Sequence, residues 1–434
     1  MIFSTLAVQL ARKYAEFRST FIQLVQPDPE IVHGTLYGQM KKLIVQPLVE
    51  SAISTVIVID ALDECKDEEP SSAILSVLGQ FVAEIPMVKF FITGRPEPRI
   101  REGFRLPLLA SVTDVFFLHE VKPGQVDTDI RFFLTHSFSE LKSRRHGLDG
   151  WPTEEQVDVL CKRAAGLFVH AMATVRFIDQ KNSFPKKQLD RLLRAQGSSM
   201  LEGKTKFRAG ATLDSLYTSI LQEAFGDDDP ENDPKVRSVL GAVVLATNPL
   251  SSSTIAALLG LESGEVFPLL SSIHSLLAFQ EDIDYPVRPF HKSFPDFVVD
   301  PTRCSDQRFR VHPPDHHTEL LIGCLETMNR ELEQNMCGLP DRVTNSEVVD
   351  LKERVEENIS QTLEYACRSW HKHLTGTIPA HVAPVLHRFL ETKFLFWLEV
   401  LSVLGAAREA VDALEATAKC EWEDVCWISF LVHL

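Results

Sequence analysis

Thr55-Val-Ile-Val-Ile-Asp60 most narrows what this chain can fold into. A continuous β-branched run of this length reads as a strand buried on both faces of a parallel sheet, since alternation would mark a strand with one wet face. The run stops at an acid, and Ala61-Leu62-Asp63-Glu64-Cys65 carries two more. Val88-Lys-Phe-Phe-Ile-Thr93-Gly94-Arg95-Pro96 reads as a second buried strand ending in a turn, and Asp114-Val-Phe-Phe-Leu118 as a third. Helical patterns precede and separate them, over Phe3 to Val25, Leu36 to Leu48 and Ser72 to Ala83. Helix alternating with apolar strand is the α/β pattern.

After Asp127 the strand signals stop. Asp129 to Lys142, Thr153 to Asp179 and Lys187 to Ala195 have helical periodicity, and Thr153-Glu-Glu-Gln is a capping-type start. Gln196 to Gly210 reads as a linker, and Asp227 to Pro234 as an acidic loop between helices. Val236 to Pro289 reads as three helices and a strand-like pair, Ala278-Phe-Gln near Tyr285 to Phe290, an order that resembles a winged helix. From His316 onward the chain is helical, without a solenoid repeat.

The 434 residues suggest about three domains at roughly 150 residues each. Lys+Arg 44 against Asp+Glu 60 gives a net charge of −16, which repels phosphate backbones and anionic membranes. Lys235 to Asp300 holds four basic and seven acidic residues, the wrong sign for a DNA-binding winged helix. The eight cysteines form no C-x-x-C pair, so reduced thiols and a cytoplasmic location are expected. The first residues read as an amphipathic helix, because Arg12 and Lys13 stand where a signal cleavage site would be. Glu391, Lys393 and Glu399 interrupt the most apolar late stretch, Phe389 to Ala406, so no membrane span is expected.

An apolar strand that delivers a carboxylate at its carboxyl end places it in the crevice where α/β sheets bind ligands. In P-loop NTPases such an acid holds Mg²⁺, and acids just beyond it orient the attacking water. A plain strand followed by an acidic turn is the alternative; Asp60, Asp63 and Glu64 together, with small Ala61 between, favour the ligand site. Thr93 and Arg95 bring a hydroxyl and a guanidinium to the same sheet edge. By itself, Arg95 more simply pairs with a nearby acid such as Glu64. Cys304, His312, His316 and His317 match no zinc spacing, and Cys367 with His371 and His373 lacks a further ligand nearby; cap, core and surface roles account for them. No G-x-S-x-G elbow and no H-E-x-x-H helix occurs.

VIVIDALDEC followed by FFITGRPEPRI resembles the Walker B and sensor 1 pair of the NACHT NTPases, in the form common in large fungal proteins of the signal-transducing STAND class. Ala164-Ala-Gly-Leu-Phe-Val-His-Ala171 is similar to that family's helical-domain motif, and Leu213-Asp-Ser-Leu-Tyr217 to the start of its winged helix. Pro289-Phe-His291-Lys-Ser-Phe-Pro-Asp-Phe297 resembles the winged-helix motif whose His touches the β-phosphate of ADP. Tyr365 to Trp370 and Phe396 to Ser402 resemble the helical region before a WD-type propeller. The resemblance implies an α/β plus α protein: a parallel P-loop NTPase sheet, truncated at its N-terminus, over 1–127, a helical domain and linker over 128–210, a winged helix over 211–302 and a second helical domain over 303–434. It implies Asp60 for Mg²⁺, Asp63 and Glu64 for the hydrolytic water, Arg95 as the γ-phosphate sensor, Thr93 beside it as a cofactor-binding residue and His291 as an ADP latch. The cofactors it implies are ATP or ADP with Mg²⁺, and the partners are other protein chains, copies of this one included, with no nucleic acid or membrane. A lone His between Phe290 and Phe294 is otherwise an ordinary packed residue.

One part is missing. A Walker A loop, G-x₄-G-K-[ST], cradles the β- and γ-phosphates with backbone N–H groups and its Lys, and in this family it precedes Walker B. Upstream of Val56 the only glycines are Gly34 and Gly38, and neither is followed by Lys. Gly197 to Thr205 contains G-K-T, but with one residue too many, behind a helix, and far past Walker B. The sequence therefore reads as starting just after the missing strand, loop and helix. Each charge-assisted hydrogen bond contributes roughly 1.5–3 kcal/mol, so losing several lowers nucleotide affinity by many powers of ten. No ATP hydrolysis is expected, and a non-enzymatic interaction module is the competing reading.

Overall fold

The computed structural model describes residues 2–28, 31–32, 34–65, 68–117, 123–180, 183–195, 209–226, 233–278, 280, 282–340 and 343–422. Most of the 196–210 linker, the G-K-T stretch and residues 227–232 of the acidic loop lie outside them. The chain divides into two units, Met1–Glu120 and Val121–Leu434.

In the first unit the expected opening helix is two, Ile2–Lys13 and Ala15–Val25, because Tyr14 takes extended backbone and turns its phenol to donate to Thr55 Oγ1 (2.9 Å). Helix Leu36–Gln39 runs through a wide π turn, Met40–Val45, into helix Gln46–Ser51. Pro47 has no N–H to give the Leu43 carbonyl, and the wide turn sits directly ahead of it. Strands β1 (Thr55–Ile59) and β2 (Val88–Ile92) pair in parallel from Thr55↔Val88 to Ile59↔Ile92. Helix Glu68–Phe81 lies between them in sequence. Phe3, Phe17, Leu43, Ile57, Ile59, Leu75 and Phe81 share one core.

Two strand expectations need correction. Only one face of β1 and β2 is buried, through Ile57, Ile59 and Val88, whereas Val56, Val58 and Phe91 are 60%, 59% and 60% exposed. Val115, Phe116 and Phe117 belong to no strand, and Leu118 lies outside the described residues. A parallel strand exists only where a neighbour offers a ladder of hydrogen bonds, and apolar composition does not supply that neighbour.

The second unit is helical. Helices Pro123–Arg144, Glu154–Ala164, Phe168–Ile178 and Pro185–Ala195 follow one another, the first beginning ahead of residue 128. The expected helix over Thr153 to Asp179 is broken in two where Ala165 and Gly166 both take positive φ. Thr153 and Gln156 form the expected capping box. Helices Ala209–Phe225 and Asp233–Leu245 lead to β3 (Leu250–Ser251), helices Ser252–Leu259 and Ser263–Ser272, then β4 (Leu277–Ala278) and β5 (Pro286–Pro289). The three strands are antiparallel in the order β3-β5-β4. The β4–β5 pair overlaps the expected one, β5 within 285–290 and β4 at Ala278, although β4 starts one residue earlier, Phe279 lies outside the described residues and Gln280 is in no strand; two-residue β3 is too short to leave a periodic signal. Helix Ser293–Val299 follows, then Pro313–Glu331, Leu351–Asn358, Gln361–Ser369, Ala383–Thr392, Phe394–Val403 and Arg408–Lys419. A short parallel pair joins β6 (Thr377–Ile378) to β7 (Glu421–Trp422). Trp370, Phe389 and Trp397 meet edge to face at 5.6–5.9 Å, and Trp397 donates its indole N–H to the Cys367 carbonyl (2.9 Å). The seven described cysteines are thiols.

Candidate functional site

Because β1 and β2 are parallel and in register at Ile59↔Ile92, their next residues, Asp60 and Thr93, emerge side by side at one end of the sheet. The ladder continues past the strands: the Thr93 N–H donates to the Ile59 carbonyl and the Leu62 N–H to the Thr93 carbonyl, both at 2.9 Å. Between them Ala61 takes left-handed backbone, φ +53, which turns the chain so that Leu62 enters the core. The Ala61 N–H donates to Thr93 Oγ1 (2.9 Å), which sends the hydroxyl proton the other way, to Asp60 Oδ1. Thr93 thus holds the Asp60 carboxylate in place.

One step further, the Arg95 N–H donates to Asp63 Oδ1 (3.0 Å), and the guanidinium Nε lies 3.6 Å from Asp63 Oδ2. The Asp63 side chain is 4% exposed and that of Arg95 41%. An acid near Arg95 was expected to pair with it, and Asp63 is one that does. A Cβ at Gly94 would stand 3.4 Å from Asp63 Oδ1, so a small residue suits the close approach of the two turns. Glu64 is exposed, with its N–H on the Ala61 carbonyl (2.9 Å). All five residues read from these two strand ends therefore share one edge of the sheet.

A second cluster lies in the other unit. The Ser293 N–H donates to His291 Nδ1 (3.1 Å), so that nitrogen carries a lone pair and the neutral imidazole is protonated at Nε2. The same nitrogen is 2.6 Å from Ser293 Oγ, which is 2.7 Å from the Tyr217 hydroxyl. The proton order is Tyr217 O–H to Ser293 O–H to His291 Nδ1. Tyr217 also packs on Phe294 and Phe297, each 5.5 Å away, and burial pushes its phenol pKa up. Asp214 pairs with Arg303 at 2.7 Å and 3.1 Å. The Arg176 guanidinium stacks on Phe290, 3.2 Å from the ring centre. Helix Phe168–Ile178, which begins inside the 164–171 segment, thus meets the segments 213–217 and 289–297 here through Arg176. His291 itself is exposed. Tyr217 could not be read as a partner because it reaches His291 only through Ser293, 76 residues further along the chain, whereas Ser293 lies two residues from His291 and was within local reach.

Among the described residues no group of three or more His, Cys, Asp or Glu can hold a metal ion, and no helix is long and apolar enough to cross a membrane. One oxygen from Asp60 and a hydroxyl beside it suit Mg²⁺, a cation that keeps most of its water and takes one or two carboxylates. The sequence holds no phosphate cradle to go with them.

Residues 1–95 match a family model described as nephrocystin 3, N-terminal, which takes in both strand ends. The chain is also similar to the vegetative incompatibility protein HET-E-1 of Podospora anserina, at 23% identity over 388 residues. That match covers 83% of this chain and 26% of the relative, so the chain spans about a quarter of the relative's length. Both matches point, as the motifs do, toward NACHT-type proteins. No solved structure matches.

Proposed function

We propose that this chain is a regulatory core of the NACHT STAND type, a switch of the non-self-recognition kind, in keeping with its similarity to a vegetative incompatibility protein, and without ATP hydrolysis of its own. The observation that carries the reading is the paired strand ends, Asp60 with Thr93 and Asp63 with Arg95, on one edge of a parallel sheet. In this reading residues 1–127 belong to the nucleotide-binding domain, 128–210 are a helical domain and linker, 211–302 a winged helix and 303–434 a second helical domain. The β3-β5-β4 sheet with its helices supports the third of these.

Asp60 would hold Mg²⁺, which would neutralise phosphate charge; Thr93 keeps that carboxylate aimed; Glu64, exposed beside it, is the acid available to a water. Asp63 and Arg95 serve each other until a phosphate draws the guanidinium away. His291 would be the ADP latch. Without a backbone cradle, binding by these groups is weak and turnover is absent. The test is an ATPase assay on the purified chain with and without Mg²⁺, alongside titration of a fluorescent ATP analogue. Mg²⁺-dependent turnover that disappears in Asp60→Ala and Glu64→Gln would refute the inactive reading.

The engagement of Asp63 by Arg95 also favours a second reading, a protein interaction module without nucleotide. Sedimentation of the chain with and without ATP and Mg²⁺ separates the two: a change in mass or shape on adding nucleotide supports the switch, and indifference supports the module.

A further inference from the structure

His317 and His373 come from elements 56 residues apart and meet through the same ring atom, Nδ1 to Nδ1, at 2.9 Å. Two imidazole nitrogens at that distance hold one proton between them: with none they repel, and with two the N–H groups collide. The rest of the chain of bonds says where it sits. The Thr247 N–H donates to the Tyr365 phenol oxygen (3.2 Å), and the phenol lies 2.8 Å from His373 Nε2. Among the described residues His373 Nε2 is the one acceptor bonded to that hydroxyl, so the phenol proton turns to Nε2, the shared proton resides on His373 Nδ1, and His317 Nδ1 accepts. Thr247 Oγ1 in turn donates to Ser369 Oγ (2.8 Å). This line joins helix Pro313–Glu331, the turn Trp370–His373 after helix Gln361–Ser369, and the connection between helix Asp233–Leu245 and β3.

We propose that the His317–His373 contact is a pH-sensitive clasp, closed at neutral pH, that fastens the helices after residue 313 to the 246–249 connection and opens when His317 gains a proton. His317 is the half-buried member and takes the proton first; once both rings carry Nδ1–H the contact is repulsive and the Tyr365 end must let go. The surroundings disfavour charge on either ring. His373 is pushed down to about 3 by burial, then by His317, His371 and Lys372, and His317 is lowered by burial and by His316. Helix Arg408–Lys419 brings Glu409 and Asp412 toward His371, where Glu409 also pairs with Arg368; helix Pro313–Glu331 brings Cys324 toward Tyr365.

Hydrogen exchange of the full chain between pH 7.5 and 5, corrected for the intrinsic rate, tests the clasp. Below pH 6.5 the amides of 313–331 and 361–373 should open up to about ten-fold more per pH unit for each proton taken up. His317→Asn places an amide where Nδ1 stands, able to meet His373 in either proton arrangement but not to titrate. It should keep neutral-pH protection and lose the slope. An unaltered slope in His317→Asn, or a flat wild type, overturns the proposal. Should that variant fold poorly, ¹⁵N imidazole shifts of the wild type decide: protonation of His317 in step with the loss of protection supports the clasp, and protonation without it refutes it.

Discussion

Asp63 and Glu64 are adjacent, chemically alike, and placed in opposite circumstances. The Asp63 side chain is buried and accepts the Arg95 N–H, so removing it leaves a backbone donor without that acceptor at the junction of two strand ends. Asp63→Ala should destabilise the first unit by about 1–3 kcal/mol, the cost of one such orphaned group. Glu64→Gln, at an exposed position, should change stability by less than about 0.5 kcal/mol. Hydrogen exchange at Ile59, Leu62 and Thr93 reads both, because these amides lie in and just past the strand ladder. Equal effects of the two substitutions would show that the Arg95 pairing is not what holds the turns together. The sequence placed these residues correctly on one edge, because a parallel strand pair dictates it. It did not distinguish the structural acid from the available one, because that depends on which side chain the left-handed turn at Ala61 directs inward.

At the scale of elements, the helices and the β4–β5 pair were legible because 3.6-residue periodicity, capping residues and turn signals are local. What was not legible depends on neighbours distant in sequence. Residues 114–117 have strand composition without a strand, β1 is buried on one face although its residues suit two, and β3 exists only because β5 pairs with it. Helix crossings are equally silent in a single sequence. Gly323 lies where helix Pro313–Glu331 passes the end of helix Ser252–Leu259, and a Cβ there would stand 2.0 Å from the Leu258 carbonyl oxygen. The obstacle is backbone, which cannot rotate aside. Gly323→Ala should therefore cost about 2–3 kcal/mol or more, as overpacking does, despite Ala being the better helix former. A thermal unfolding midpoint equal to or above that of the wild type would show that the two helices are free to separate.

Over the whole molecule, the charge of −16 excludes little about the fold but fixes how acid acts on it, because protonating carboxylates relieves repulsion while protonating buried histidines breaks packing. His170 isolates the second effect. It is buried in helix Phe168–Ile178, and neither ring nitrogen has a hydrogen-bond partner among the described residues. Burial, and then the positive charge of Arg163, lower its pKa from 6.5 to about 4. The unfolded chain thus binds the proton at higher pH than the folded chain, so stability is present in full above pH 6.5 and falls as pH drops toward 4. The total is on the order of 3 kcal/mol, with about 2 kcal/mol gone by pH 5. Replacing the ring by an apolar side chain removes both the titration and the two unpaired nitrogens, so His170→Leu should match or exceed wild-type stability at pH 7.5 and exceed it by about 2 kcal/mol at pH 5. Urea unfolding at the two pH values measures the difference. A variant that loses as much stability on acidification as the wild type would show that His170 reaches water in the folded chain, and the acid sensitivity of this unit would then rest on His317 and His373.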